Sequence, residues 1–370
     1  MKKIGLLTSS RADYGIYKPL LNQLVKTPNF EVTRIVFGPH LLPQFRSSLD
    51  EIKTDPYGKY EQIGSFKETN KAKDVANIYG EIILNFTSFW GKSNFDVVIA
   101  LGDRFEMSAA VQAGIPFNIK IAHIHGGETT LGAIDNIYRH QISLASKVHF
   151  TATKEYAERV ASLTGTTENI YTVGALSLSD LGEKKVKKWD KVRGEFGIPN
   201  YPFILITVHP ETIDHIRNLE NIAGLKEILK ILSSRYHLLI TGTNTDQSHK
   251  GYNALFMELK SFYPSRFTLI DSMGRENYFS ALQNCVFVLG NSSSGIIEAA
   301  SFGKFTIDLG HRQKGRLTSL NTINLPFKSK VVLNYVNDLE KKSLIFKGEN
   351  IYFQNNTISS IIEELQTQIM

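Results

Sequence analysis

The feature that most constrains this chain is an alternation of short apolar runs with longer segments of helical period. Asp96–Leu101 (DVVIAL) and Phe203–Val208 (FILITV) are almost continuously apolar, rather than apolar at every second residue. A strand reads this way when both faces of its sheet are covered, as in a parallel sheet flanked by helices. In the N-terminal half, strands are expected at Lys3–Thr8, Phe30–Gly38, Asp96–Leu101, Lys120–Ile124, Val148–Thr151 and Ile170–Val173. The helices between them are expected at Tyr14–Lys26, Thr69–Phe89, Arg104–Ala113, Ile137–Ala145 and Tyr156–Leu163, with Pro19 interrupting or kinking the first. A second series follows, with strands at Phe203–Val208, His237–Thr241, Phe267–Ile270, Val286–Leu289 and Phe305–Leu309 and helices near 216–234, 250–262, 275–283 and 294–302. Units of this length connect parallel strands by right-handed crossovers.

A chain of 370 residues is long enough for two domains of ordinary size. The expected architecture is α/β: two doubly wound, Rossmann-like domains facing each other across a cleft. The first spans 1–183 and the second 195–350, with the basic stretch 184–194 (KKVKKWDKVR and the next residue) as linker or hinge. The net charge of +6 is a mild bias without the concentrated patch of a nucleic-acid binder; it suits an acidic small ligand. The single cysteine, Cys285, lies in the apolar run CVFVLG and reads as a core residue, so no intramolecular disulfide is expected. The apolar part of MKKIGLLTSS is too short for a secretory segment, and no run approaches a membrane span. A cytoplasmic protein without membrane or nucleic-acid partners is expected.

The polar residues collect directly after predicted strands, at the edge where such sheets bind ligands. GNSSSG (290–295) follows one strand and opens a helix, so its backbone N–H groups and Ser292, Ser293 and Ser294 form an anion site suited to a diphosphate. A plain helix cap is the competing reading. Glu298, one turn on, is placed to reach ribose hydroxyls, or is simply an exposed helix carboxylate. GHRQKGR (310–316) follows the next strand and offers Arg312 and Arg316 for bidentate phosphate pairing. LGDR (101–104) puts Asp103 and Arg104 at the tip of the most apolar strand, where partial desolvation would move a carboxylate toward neutrality; the alternative is a helix cap. HIHGGE (123–128) and DNIYRH (135–140) add His123, His125, Glu128, Asp135, Arg139 and His140. Histidines at i and i+2 before a Gly-Gly turn do not match a helical zinc pair, and acid–base work is the better reading. TVHPET (207–212) brings His209 to a strand tip of the second domain, and TSSRADYGIYK (8–18) brings Arg11 to the first helix start. GxGxxG is absent after these strands, which argues against a nicotinamide cofactor.

With these pieces together, the chain resembles the hydrolysing UDP-N-acetylglucosamine 2-epimerases of bacterial sialic and legionaminic acid pathways. SRADYG (10–15), LGDR, HIHGGE, DNIYRH, VHPET, GNSSSG and GHRQKGR run in the family's order over nearly the whole chain. The resemblance implies a glycosyltransferase-B-like fold with the nucleotide held mainly by the second domain and a final helix, 357–370, packing back on the first. It implies UDP elimination to a 2-acetamidoglucal, then water addition at carbon 1 and protonation of carbon 2 from the other face, giving N-acetylmannosamine and UDP. By similarity, Asp103 and Asp135 carry the proton transfers with Glu128 close by, and His209 stabilises charge or transfers a proton. Arg11, Ser293, Ser294, Glu298 and Arg312 would hold UDP, with Arg104, Arg139, Asn291, Ser292 and Arg316 as further substrate contacts. No redox cofactor and no metal are implied, and a homodimer is expected by analogy.

One position departs from the animal-type pattern, where the third residue of HIHGGE is a catalytic Glu; here it is His125, which joins the acid–base candidates. PHLLPQF (39–45) and GAIDN (132–136) look like the branch acting on UDP-2,4-diacetamido-2,4,6-trideoxyhexoses, with His40 as a sugar contact. A glycosyltransferase of the same fold, a non-hydrolysing epimerase and an inactive nucleotide-sugar sensor are the competing functions. A glycosyltransferase needs an acceptor site and no acid–base pair at carbon 2, so the Asp103, Glu128 and Asp135 cluster favours the epimerase.

Overall fold

The computed structural model describes residues 1–69, 71–181, 186–211, 215–242, 249–342 and 344–369. They divide into two compact units: one of Met1–Glu128, Asp135–Leu181 and Tyr352–Met370, the other of Thr129–Ile134 and Gly182–Ile351. Lys184 and Lys185 of the expected linker, Thr212 of VHPET and Met370 of the expected final helix lie outside the described residues.

The first unit is built on strands β1 (Lys2–Thr8), β2 (Phe30–Val36), β3 (Lys59–Gln62), β4 (Val97–Leu101), β5 (Ile121–Ile124), β6 (Val148–Thr151) and β7 (Ile170–Thr172). They form one parallel sheet in the order β3-β2-β1-β4-β5-β6-β7. The continuous apolar runs have the cause expected for them, because successive side chains enter different cores. Val97, Ile99 and Leu101 join Ile4 and Leu6 on one face, while Val98 and Ala100 join Leu7 and Ile35 on the other.

The second unit repeats the plan with β8 (Phe203–Thr207), β9 (His237–Thr241), β10 (Phe267–Ile270), β11 (Val288–Gly290), β12 (Thr306–Leu309) and β13 (Thr322–Leu325). The order is β10-β9-β8-β11-β12-β13, again parallel. Ile204 and Ile206 face one core, Phe203 and Leu205 the other. In each sheet the strand order reverses once, between β1 and β4 and between β8 and β11. Open parallel sheets bind ligands outside the carboxyl ends of the strands at such a reversal.

The chain returns to the first unit at its end. Ile361, Ile362 and Leu365 of the helix Thr357–Ile369 are buried in the core of Ile4, Leu6 and Tyr14. Thr357 Oγ1 donates to Val173 O at 2.6 Å, and the hydroxyls of Tyr156 and Tyr352 meet at 2.9 Å. Segment 129–134 belongs to the second unit: Leu131 N donates to Lys314 O at 2.8 Å, and a Cβ on Gly132 would lie 2.1 Å from His311 O.

Two segments are more regular than the sequence alone suggests. Much of the stretch expected as a linker is structured: Trp189–Glu195 is a helix with Val192 fully buried and Trp189 stacked on Phe203, so its basic residues ride on a helix anchored by apolar ones. Pro19 does not interrupt the first helix, which runs unbroken from Arg11 to Leu24. That helix also starts earlier than its apolar periodicity shows, because Ser10 and Asp13 form a reciprocal capping box.

Candidate active site

In the first unit the strand-end residues form one bonded cluster. Asp103 follows β4 with its side chain 25% exposed, and Arg139 Nη2 pairs with its Oδ2. The helix cap falls on Arg104, so Asp103 is not the capping residue. Arg139 is itself buried: its Nη1 donates to His125 O at 2.7 Å and lies 3.7 Å from Glu128 Oε2. Glu128, 2% exposed, spends Oε1 on His125 Nδ1 at 2.7 Å. The tautomer of His125 follows from its other side. Leu176 N–H donates to Nε2 at 3.3 Å, so the ring proton sits on Nδ1 and is given to Glu128. Asp135 opens the helix whose next turn carries Arg139.

The backbone here has few alternatives. His125 sits at φ +68°, a left-handed conformation uncommon away from glycine. Gly127 is also left-handed, at φ +79°, and a Cβ there would lie 2.2 Å from Tyr156 O. His123 pins the preceding loop. Its Nε2 must donate to Gly102 O, 2.8 Å away, and its Nδ1 accepts from Ser143 Oγ at 3.0 Å. Burial lowers its pKa to about 3, so it is a neutral fastener directly behind Asp103. His140 is likewise held down by burial, then by Arg139 and Arg159.

Two arginines lie at the β1–β4 reversal. Arg104 is clasped in a fork by Glu106, with Nε to Oε2 at 3.1 Å and Nη2 to Oε1 at 2.8 Å. Glu106 is fully buried; desolvation raises its pKa and Arg104 pulls it back down. Arg11 is exposed, with its guanidinium 4.7 Å over the Phe45 ring. His40 is placed differently from the expectation. It is 1% exposed, its Nε2 meets Thr8 Oγ1 at 2.9 Å and its Nδ1 meets Ser48 Oγ at 2.7 Å. Both ring nitrogens are committed within the unit, so neither is left for a sugar.

In the second unit the loops after β8, β11 and β12 converge on Asn291. Its Oδ1 accepts from His209 N at 2.7 Å, and its Nδ2 donates to His209 O at 2.9 Å. Its carbonyl accepts from Gln313 Nε2 at 2.9 Å and from Arg312 Nη1 at 3.4 Å. Asn291, expected as a ligand contact, is therefore a buried clamp between loops. Gly290 permits this approach, since a Cβ there would lie 2.0 Å from Thr207 O. His209 is buried, and desolvation, then Arg312, pushes its pKa well down, so the imidazole is neutral.

The three serines separate by role. Ser292 holds the cap position of the helix Ser293–Ile297 without a side-chain cap bond, so the loop is not an ordinary serine cap. All three are partly exposed, and Ser294 Oγ is 2.6 Å from Glu298 Oε2. Arg312 is partly exposed. Arg316 is buried and donates to Gln313 Oε1 at 2.8 Å, which makes it a brace for the loop. Beneath them Asp308 is raised to about 7 by burial, with Arg312 and Arg316 opposing.

These clusters lie at the carboxyl ends of the strands in two doubly wound sheets. The UDP-N-acetylglucosamine 2-epimerase family model matches residues 22–366. The chain belongs to this family. It is 30% identical over 370 residues to the UDP-N,N'-diacetylbacillosamine 2-epimerase (hydrolyzing) of Legionella pneumophila, covering 99% of this chain and 96% of that protein. It is 28% identical over 366 residues to the polysialic acid biosynthesis protein P7 of Escherichia coli, covering 98% and 93%. The fold matches the crystal structure of UDP-GlcNAc 2-epimerase from Neisseria meningitidis bound to UDP-GlcNAc, with a TM-score of 0.78 at 18% identity, over 99% of this chain and 100% of that one. The resemblance read from the motifs is thereby shown, as is the glycosyltransferase-B-like fold class.

Several residues of the candidate site escaped the sequence reading. Glu106 and Ser143 act on the strand-end motifs from elsewhere and carry no motif of their own, while Gln313 lies inside GHRQKGR but was not singled out there. Asp13 was legible in principle: S-x-x-D before an apolar run is a capping signature, and its carboxylate accepts from Ser9 N, Ser9 Oγ and Ser10 N. Among the described residues, no group of three or more His, Cys, Asp or Glu side chains is arranged to hold a metal ion, and no helix is long and apolar enough to cross a membrane.

Proposed function

We propose that the protein is a hydrolysing nucleotide-sugar 2-epimerase that converts UDP-N-acetylglucosamine to N-acetylmannosamine and UDP. The observation that carries this reading is Asp103: a partly exposed carboxylate at a sheet reversal, held by a buried arginine that is itself braced by Glu128 and the His125 backbone. A transferase has no use for such a carboxylate beside carbon 2, whereas an enzyme that removes and returns a proton there does. Asp103 takes or delivers the carbon 2 proton, and Asp135, less buried than Glu128, is the partner for the other transfer. Glu128 and Arg139 are assigned to positioning, because both are buried and already paired.

The C1–O bond to UDP breaks as the carbon 2 proton leaves, giving a 2-acetamidoglucal. Water then adds its hydroxyl at carbon 1, and a proton returns to carbon 2 from the opposite face. The charge developing on the departing diphosphate needs donors already in place. Arg312, the backbone N–H groups at Ser292 and Ser293, and the neutral His209 supply them. A neutral imidazole donates a hydrogen bond without first losing a proton, and an adjoining dianion would raise its pKa again.

A second sugar is favoured by the Legionella relative, whose name specifies UDP-N,N'-diacetylbacillosamine. Incubation with either sugar nucleotide, without any acceptor, discriminates among these readings. Free UDP released with a 2-epimerised sugar supports the hydrolysing epimerase and identifies its substrate. UDP release only on addition of an acceptor would make the protein a glycosyltransferase.

A further inference from the structure

PHLLPQF (39–45) takes no part in the reaction as proposed, because its histidine is spent inside the first unit. The segment holds an aromatic ring instead. His40 fastens it to the carboxyl end of β1: the imidazole bonds Thr8 and Ser48, and His40 N donates to Ser9 O at 3.3 Å. Gly38 allows that approach at φ +65°, where a Cβ would lie 3.1 Å from Ser9 O. At the far end of the segment, the half-buried Phe45 lies under Arg11, whose Cζ is 4.7 Å from the ring centroid. Arg11 is the first residue of the helix Arg11–Leu24, and the Ser10–Asp13 capping box fixes its backbone. Its side chain is exposed, and among the described residues no carboxylate pairs with it. Arg11 and Arg104 both lie close enough to His40 to add to burial in lowering its pKa, so two cations gather at this end of the sheet.

We propose that Phe45 is a positioning residue that stacks beneath Arg11 and holds its guanidinium ready for the diphosphate of the nucleotide. The proposal rests on the UDP-sugar reading above. An arginine side chain has many rotamers, and restricting them before the ligand arrives removes an ordering cost from binding. A ring does this without competing for the ligand. Stacking uses the face of the guanidinium, whereas its N–H donors lie in the plane and stay available to phosphate oxygens. A carboxylate partner, such as Glu106 on Arg104, restrains an arginine only by taking donors from it. The segment then has one purpose: His40 anchors it, and Phe45 positions the arginine.

The test combines NMR of the arginine-labelled full-length protein with calorimetric titration by UDP, for wild type, Phe45→Leu, Phe45→Tyr, Arg11→Ala and the Phe45→Leu/Arg11→Ala double variant. Protons stacked on an aromatic face are shifted upfield by its ring current. The Arg11 side-chain signals, identified by their loss in Arg11→Ala, should be upfield in wild type and Phe45→Tyr and return to ordinary positions in Phe45→Leu. Phe45→Leu keeps an apolar side chain without a π face, and it should weaken UDP by about 2- to 5-fold, as for one exposed cation–π contact. Phe45→Tyr keeps the face and should bind UDP as wild type does. The double variant should bind no more weakly than Arg11→Ala alone. Unshifted Arg11 signals in wild type, unchanged UDP affinity in Phe45→Leu, an equal loss in Phe45→Tyr, or a further loss in the double variant would each overturn the proposal. Failure of the wild-type protein to bind UDP while Arg11 remains shifted would instead overturn the functional reading beneath it.

Discussion

Asp103 depends on Arg139 for its orientation, and Arg139 depends on Glu128 and the His125 carbonyl. The link to the His125 carbonyl is a short hydrogen bond and the one to Glu128 a 3.7 Å ion pair, both around a buried guanidinium, where a missing partner is costly. Asp103→Asn keeps the shape and loses the proton-transfer group. It should retain UDP affinity while turnover falls by at least ~100-fold, as for loss of a general acid–base residue. Turnover near that of the wild type would remove Asp103 from the chemistry. His40 yields a prediction about stability. Burial, with Arg11 and Arg104 nearby, lowers its pKa to about 3 in the folded protein, against 6.5 ordinarily. Between those values the unfolded chain binds more protons than the folded one, so stability should be lost as pH falls below about 6.5. His40→Gln should reduce the dependence of unfolding free energy on pH by up to about 1.4 kcal/mol per pH unit between pH 6 and 4. Denaturant melts over that range check this, and an unchanged slope would mean that His40 is protonated in the folded state.

At the scale of elements, legibility followed burial. DVVIAL and FILITV could be read because both faces of each strand are covered, and the strand-end motifs could be placed once those strands were. β3, with the sequence KYEQ, is exposed at every residue, so it has no apolar pattern to betray it. β13 (TINL) and the helices Arg46–Thr54 and Ser329–Lys341 were likewise not anticipated. The candidate site was legible as a set of loops but not as a division of labour. His40, Asn291, Arg316 and Ser294 have the chemistry of ligand contacts, yet their partners come from Ser48, His209, Gln313 and Glu298. Only tertiary structure decides which donors are already spent. The final helix was legible through the family resemblance alone, and its worth is testable. Ile361 is fully buried in the core beside Ile4 and Leu6, so Ile361→Ala should destabilise the first unit by about 2–5 kcal/mol. A change below about 0.5 kcal/mol in chemical unfolding, the size of an ordinary surface substitution, would show that the helix is not part of that core.

For the whole molecule, one plan is used twice. Each unit carries a parallel sheet with a single reversal of strand order, and each reversal gathers polar residues of a different kind. The first gathers carboxylates, imidazoles and arginines bonded to one another; the second gathers serines, an arginine and a neutral histidine around one asparagine clamp. That division suits a reaction in which a diphosphate departs while a carbon–hydrogen bond is broken and remade. The most direct test of this account is proton NMR of the purified protein with UDP-N-acetylglucosamine in heavy water, followed by the UDP-2,4-diacetamido-2,4,6-trideoxyhexose. The account predicts free UDP together with a 2-epimerised free sugar carrying deuterium at carbon 2 from one of the two. Retention of the original carbon 2 proton in the product, or no release of UDP from either nucleotide, would contradict it.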